Sequence, residues 1–86
     1  MTCWRELISC AMERHGDAWG NVEFNTMDDS AMDRQFNDDY GATQGCAFTV
    51  WTRDYVYFPL CYDGAEWAGS VRRNPGAFAT EHQGGG

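Results

Sequence analysis

Trp4, Leu7, Ile8, Ala11, Met12 and His15 fall at i, i+3, i+4, i+7, i+8 and i+11, the spacing of one face of an α-helix. Arg5, Glu6, Ser9 and Glu13 take the other face. Thr2 stands where an N-cap is wanted, and Gly16 follows as a C-terminal stop. The next stretch, "DAWGNVEFN", loses the helical period and reads as a loop with a short extended piece at 22–24, anchored by Trp19 and Phe24. In "NTMDDSAMDRQFNDDYG" (25–41), Met32, Phe36 and Tyr40 recur every four residues as a narrow apolar stripe, while Asp29, Asp33 and Asn37 form a second stripe. The pattern predicts a short acidic helix, capped by Thr26 or Asp28 and ended by Gly41. Being marginal alone, it must be held by its Met–Phe–Tyr edge.

The period then changes to two. "CAFTVWT" (46–52), "YVYFPLCY" (55–62) and "AEWAGSVR" (65–72) are rich in β-branched and aromatic residues, and Asp63-Gly64 is a two-residue hairpin signal. Across that turn Tyr62 faces Ala65, Leu60 faces Trp67, Phe58 faces Gly69 and Val56 faces Val71, all apolar or glycine. A two-residue loop at Arg53-Asp54 would set Phe48 and Val50 on the side opposite these residues. A three-residue loop, Thr52-Arg53-Asp54, is therefore expected. It pairs Trp51 with Tyr55, Val50 with Val56 and Phe48 with Phe58, and gathers Phe48, Val50, Val56, Phe58, Leu60, Trp67 and Val71 on one core face. The expected architecture is α+β: an N-terminal helix packed on a three-stranded antiparallel meander, with a second short acidic helix at its edge. One domain is expected over 1–78, followed by a flexible tail, 79–86.

Charge changes this picture in one region. The chain is 86 residues long with a net charge of −7, and every positive side chain is an arginine. Between Asp17 and Asp39 there are seven acids and one base, Arg34; the remainder holds six acids and five arginines. An acidic segment is thus attached to a near-neutral body, a field that repels nucleic acid and membrane surfaces and attracts basic partners. No apolar run approaches the ~18 residues of a membrane span, and no basic-then-apolar leader opens the chain, so a cytoplasmic location in a host bacterial cell is expected. Cys3, Cys10, Cys46 and Cys61 match no common zinc spacing, with His15 or His82 as the only imidazole partners. Structural thiols are expected, with no cofactor and no metal.

Two features are candidates for function. The first is the acidic run, Asp28, Asp29, Asp33, Asp38 and Asp39. It lacks the glycine and glutamate of a calcium loop, which leaves a solvated face or a row of carboxylates standing in for backbone phosphates. The second is the outer sheet face, with Trp51, Tyr55, Tyr57 and Pro59. Arg53, Arg72 and Arg73 lie at nearby strand ends, as an arginine–aromatic anchor or as ordinary cross-strand pairing. No nucleophile–histidine–acid order or glycine-rich phosphate loop is present, so no enzymatic activity is expected.

The pattern F-T-V-W-T, then V-Y-F-P…Y-D-G-x-E-W…S-V…R-N-P, resembles small phage- and prophage-encoded proteins, over roughly the C-terminal half. In size, acidity and α+β build the chain is also similar to anti-CRISPR proteins, as a class and not by motif. The resemblance implies an inhibitor that seats on a basic nucleic-acid-binding surface of a CRISPR effector or other defence protein, as a monomer or weak homodimer. The alternative is a small phage structural or regulatory module that self-associates through its aromatic sheet.

Overall fold

α1 spans Trp4–His15, and its buried face is Trp4, Ile8, Ala11 and Met12, as the spacing predicts. The computed structural model describes residues 2–36, 45–62, 65–77 and 79–80. The helix ends as expected. Gly16 is left-handed at φ 68°, its N–H donates to Glu13 O at 3.3 Å, and the Asp17 N–H donates to Met12 O at 2.9 Å. This Schellman closure needs a residue without Cβ strain, and it delivers Asp17 to the end of the sheet. The start differs from expectation. Cys3 occupies the N-cap without a side-chain bond, while the Thr2 hydroxyl donates to Glu6 Oε2 at 2.9 Å.

The sheet has four antiparallel strands in sequence order, one more than the sequence reading counted: β1 Val22–Asn25, β2 Val50–Thr52, β3 Tyr55–Tyr62 and β4 Ala65–Arg72. The extra strand is the short extended piece, lengthened by one residue. Phe24 pairs with Trp51 and Asn25 with Val50. The β3–β4 register is the one read from the sequence, from Val56↔Val71 to Tyr62↔Ala65.

The β2–β3 loop is a correction. Val50 pairs with Tyr57 and Trp51 with Val56, so the loop is two residues, Arg53-Asp54. Thr52 closes it. Its Oγ1 accepts from the Tyr55 N–H at 3.1 Å and donates to the carboxylate of Asp17 at 2.7 Å. The shift of one residue flips every side chain of β2 relative to β3. Val50 and Thr52 therefore share the inner face with Tyr55, Tyr57, Ala68 and Ser70, and all six are buried. Tyr55 and Tyr57, expected outside, lie in the core. Val56, Phe58, Leu60, Trp67 and Val71, expected inside, form the outer face. α1 lies across β4 on the inner side, where Ala68 and Ser70 are small enough to let a helix approach.

α2 is also shorter than its stripe suggested, Asp29–Asp33 only. Arg34 turns extended, and Phe36 then exchanges two backbone hydrogen bonds with Thr2, at 2.9 and 2.8 Å. The Phe36 ring lies 5.0 Å from that of Trp4. A further helical turn would give up both bonds and this burial. Met32 and Phe36 are core residues as expected, while Tyr40, Gly41, Asp63-Gly64 and residues 81–86 lie outside the described residues. No helix among the described residues is long and apolar enough to cross a membrane.

Candidate interaction surface

The outer face of the sheet is built by alternation. Phe24 on β1 pairs with Trp51 on β2, which pairs with Val56 on β3, which pairs with Val71 on β4. Phe58 and Leu60 continue along β3, opposite Gly69 and Trp67. None of these side chains is charged, and none belongs to the core cluster. Trp51, Val56, Phe58, Leu60 and Trp67 are half-buried, and Phe24 is 61% and Val71 38% exposed. The Phe24 and Trp51 rings meet edge to face with centroids 5.5 Å apart, a geometry that suits the aromatic quadrupoles. With about 3.3 Å per residue and 4.8 Å between strands, the face measures on the order of 300–400 Å². The largest apolar patch on a typical monomer is about 300–600 Å² and is often functional.

The inner face explains why this surface is left outside. Asp17 Oδ2 accepts from the Tyr57 hydroxyl and from Thr52 Oγ1, both at 2.7 Å, and Oδ1 accepts from the Ala18 N–H at 2.9 Å and Asn21 Nδ2 at 3.0 Å. Burial pushes the Asp17 carboxyl up, but the bonds from Asn21, Thr52, Tyr57 and Ala18 outweigh it and hold the pKa below its ordinary value. Tyr57, buried and bonded to that carboxylate, is pushed far up and stays neutral. His15 stacks on Tyr55 at 4.3 Å, with Nε2 2.7 Å from Ser70 Oγ. Burial, then the charges of Arg14 and Arg72, lower its pKa. Tyr57 can face inward because an acceptor waits for its hydroxyl, so that polar group imposes little desolvation penalty.

The acidic run is partly neutralised. Asp28 caps α2, accepting from the Ala31 N–H at 2.8 Å. Arg5 on α1 reaches between the next two aspartates: Nε lies 2.5 Å from Asp33 Oδ1 and Nη2 3.3 Å from Asp29 Oδ1. The Arg5 guanidinium sits 5.9 Å from the centroid of Trp19 and holds the Asp33 carboxyl below its usual range. The like-charge i, i+4 pair is therefore bridged by a cation that the one-dimensional charge pattern placed in another element. Asp38 and Asp39 lie outside the described residues.

Of the expected aromatic site, Trp51 is on the outer face, while Arg72 lies over Tyr55, 5.3 Å from its centroid, at the inner side. Pro59 shares the parity of the inner face and is exposed. Arg53 is exposed in the hairpin loop beside Asp54. At the same end Arg73 pairs with Glu23 and donates to Thr52 O at 2.9 Å. The residues that the sequence reading left out of the surface are Phe24, Val56, Phe58, Leu60, Trp67 and Val71. The signal that could have found them is the run of small residues at Ala68 and Ser70, which marks the helix-facing side of β4. Among the described residues no three His, Cys, Asp or Glu side chains come together as a metal site.

No family model matches the chain, and neither a curated protein nor a solved structure is significantly similar to it.

Proposed function

We propose that this protein acts by binding another protein, without chemistry of its own, and that the outer sheet face is the contact. The observation that supports this reading is the continuous uncharged surface of Phe24, Trp51, Val56, Phe58, Leu60, Trp67 and Val71 on a domain that otherwise carries a net charge of −7. Its size argues about the partner. Two copies stacked through it alone would bury roughly 600–800 Å² in total, below the ~1,000 Å² expected of a stable interface. A partner that continues past the patch onto the acidic remainder of the surface reaches that area, and the field of the chain selects one with a basic surface. In its most specific form the partner is a CRISPR effector or another bacterial defence protein, engaged at its nucleic-acid-binding surface and inhibited by occupancy.

The test compares Phe58→Ser and Trp67→Ser with Asp28→Lys in binding to purified effectors over a salt series. The sheet variants should weaken binding at least ten-fold at every salt concentration. The charge variant should act mainly through the association rate and fade as salt rises. Binding that ignores the sheet variants removes this face from the reading. Light scattering that shows a stable dimer of wild-type protein, lost in Trp67→Ser, replaces a separate partner with self-association.

A further inference from the structure

The β2–β3 ladder ends at Val50↔Tyr57, and the chain before β2 leaves the ladder and lines a cavity against β3. Extending that register four residues outward sets Cys46 opposite Cys61. The space between holds a cavity of about 280 Å³, and both cysteines line it together with Pro59, Leu60 and Glu66. Both are thiols, Cys46 half-buried and Cys61 exposed.

Three contacts fix Cys46 here. The Gly45 N–H donates to Glu66 Oε1 at 2.9 Å, the Cys46 carbonyl accepts from Trp4 Nε1 at 3.0 Å, and the Phe48 ring lies 4.7 Å from Trp4. A Cβ on residue 45 would come within 2.6 Å of the Trp4 ring, so only glycine lets the chain run this close. Glu66 is in turn the cross-strand partner of Cys61. The carboxylate that holds the backbone next to Cys46 therefore sits directly across from Cys61.

We propose that Cys46 and Cys61 form a redox pair that closes to an intramolecular disulfide. Directly opposed residues in an antiparallel pair have Cβ atoms about 4.5–5.5 Å apart, and a disulfide needs about 3.5–4.5 Å. Residues 46–49 are not paired with β3, so closure requires residues 45–47 to cross the cavity and to give up the Gly45–Glu66 and Cys46–Trp4 hydrogen bonds. The oxidant is a small-molecule disulfide such as oxidised glutathione. The exposed Cys61 thiolate, having given its proton to solvent, attacks one sulfur of glutathione disulfide, breaking that S–S bond and releasing one glutathione thiolate, which takes up a proton. The Cys46 thiolate then attacks the Cys61 sulfur of the mixed disulfide and releases the second glutathione. The protein dithiol loses two electrons and two protons, and the reagent becomes two thiols. The inference goes beyond the binding reading and does not depend on it.

Cys10, exposed on α1, and Cys3, buried at its N-cap, lie on another element. The experiment therefore uses a Cys10→Ser protein treated with excess oxidised glutathione and read by intact mass and peptide mapping. The expected product carries no glutathione, weighs two hydrogens less than the starting protein, and yields one cross-linked peptide pair joining Cys46 to Cys61. Its denaturation midpoint shifts upward. Adding Cys46→Ser should stop the reaction at a stable single glutathione adduct on Cys61. The proposal is overturned if the Cys10→Ser protein itself accumulates that adduct, keeps its thiols, or links through Cys3 or between chains.

Discussion

On the inner face of the sheet Thr52, Tyr57, Glu66 and Ser70 are polar and buried, whereas on the outer face Phe24 and Val71 are apolar and exposed. The two faces alternate along the same strands, so neither composition nor length separates them. Partners do. Asp17 meets two hydroxyls of the inner face, and His15 meets a third. A polar group whose hydrogen bonds are met can be buried nearly as cheaply as an apolar one, and the choice of face then falls to shape. Ala68 and Ser70 admit a helix; a face carrying Trp67, Leu60 and Phe58 does not. The comparison teaches that the more apolar side of a sheet can lie outside the core cluster, and the proposed binding role rests on that.

Adjacent residues on β3 give the strongest way to break this comparison. Tyr57 is fully buried on the inner face, and Phe58 is half-buried on the outer one. Tyr57→Ala should destabilise the domain by about 3–5 kcal/mol, the usual cost of removing a core aromatic. Phe58→Ala, which deletes a ring of similar size, should cost about 1 kcal/mol, since solvent already reaches it. Equal shifts of the guanidinium midpoint would mean that the faces are not distinct.

Next in size is the carboxylate that makes the inner face possible. Asp17→Ala leaves the Tyr57 and Thr52 hydroxyls without their acceptor, at a cost of about 2–3 kcal/mol. The pH dependence sharpens the point. The folded-state pKa of Asp17 lies below its ordinary value of 3.8, so its contribution is complete above about pH 4. It is lost as the pH falls through the folded value, where the unfolded chain already holds the proton. Urea midpoints from pH 6 down to pH 2 should fall less steeply in Asp17→Asn than in the wild type. Parallel curves would assign acid sensitivity to other groups.

His15 supplies a smaller effect of known sign. Its pKa is lowered in the folded state from 6.5, so the unfolded chain binds the proton first. Stability is complete above 6.5 and declines as the pH falls through the folded value. His15→Gln should flatten the stability profile between about pH 7 and pH 5, and a wild-type profile already flat there would contradict an imidazole held against Tyr55 and Ser70.

α1 and the β3–β4 hairpin were legible because their signals are local. A 3.6 period, a glycine stop and an Asp-Gly turn each specify their neighbours without reference to the rest of the chain. The face was not, because it depends on one residue of loop length at Arg53-Asp54. That loop is closed by Thr52 and Asp17, residues 35 apart in sequence. Apolar content pointed the wrong way, since burial followed hydrogen-bond satisfaction and side-chain size. The acidic run failed similarly. Asp29 and Asp33 read as an unopposed pair until Arg5, 24 and 28 residues away, came between them.

Phe24 gives the smallest expected effect on folding and the cleanest separation of the two faces. It lies at the sheet's edge strand, 61% exposed, and its only described ring contact is the edge-to-face one with Trp51. Phe24→Ser removes that contact and an apolar surface that water already wets, so stability should change by no more than about 0.5 kcal/mol. Retention on a hydrophobic column and binding of a fluorescent dye to apolar surface should both fall, because the patch loses its most exposed member. If stability instead dropped by the several kcal/mol typical of a core aromatic, the outer face would be part of the folding core, and the division between a folding side and a binding side would collapse at the residue where it should be plainest.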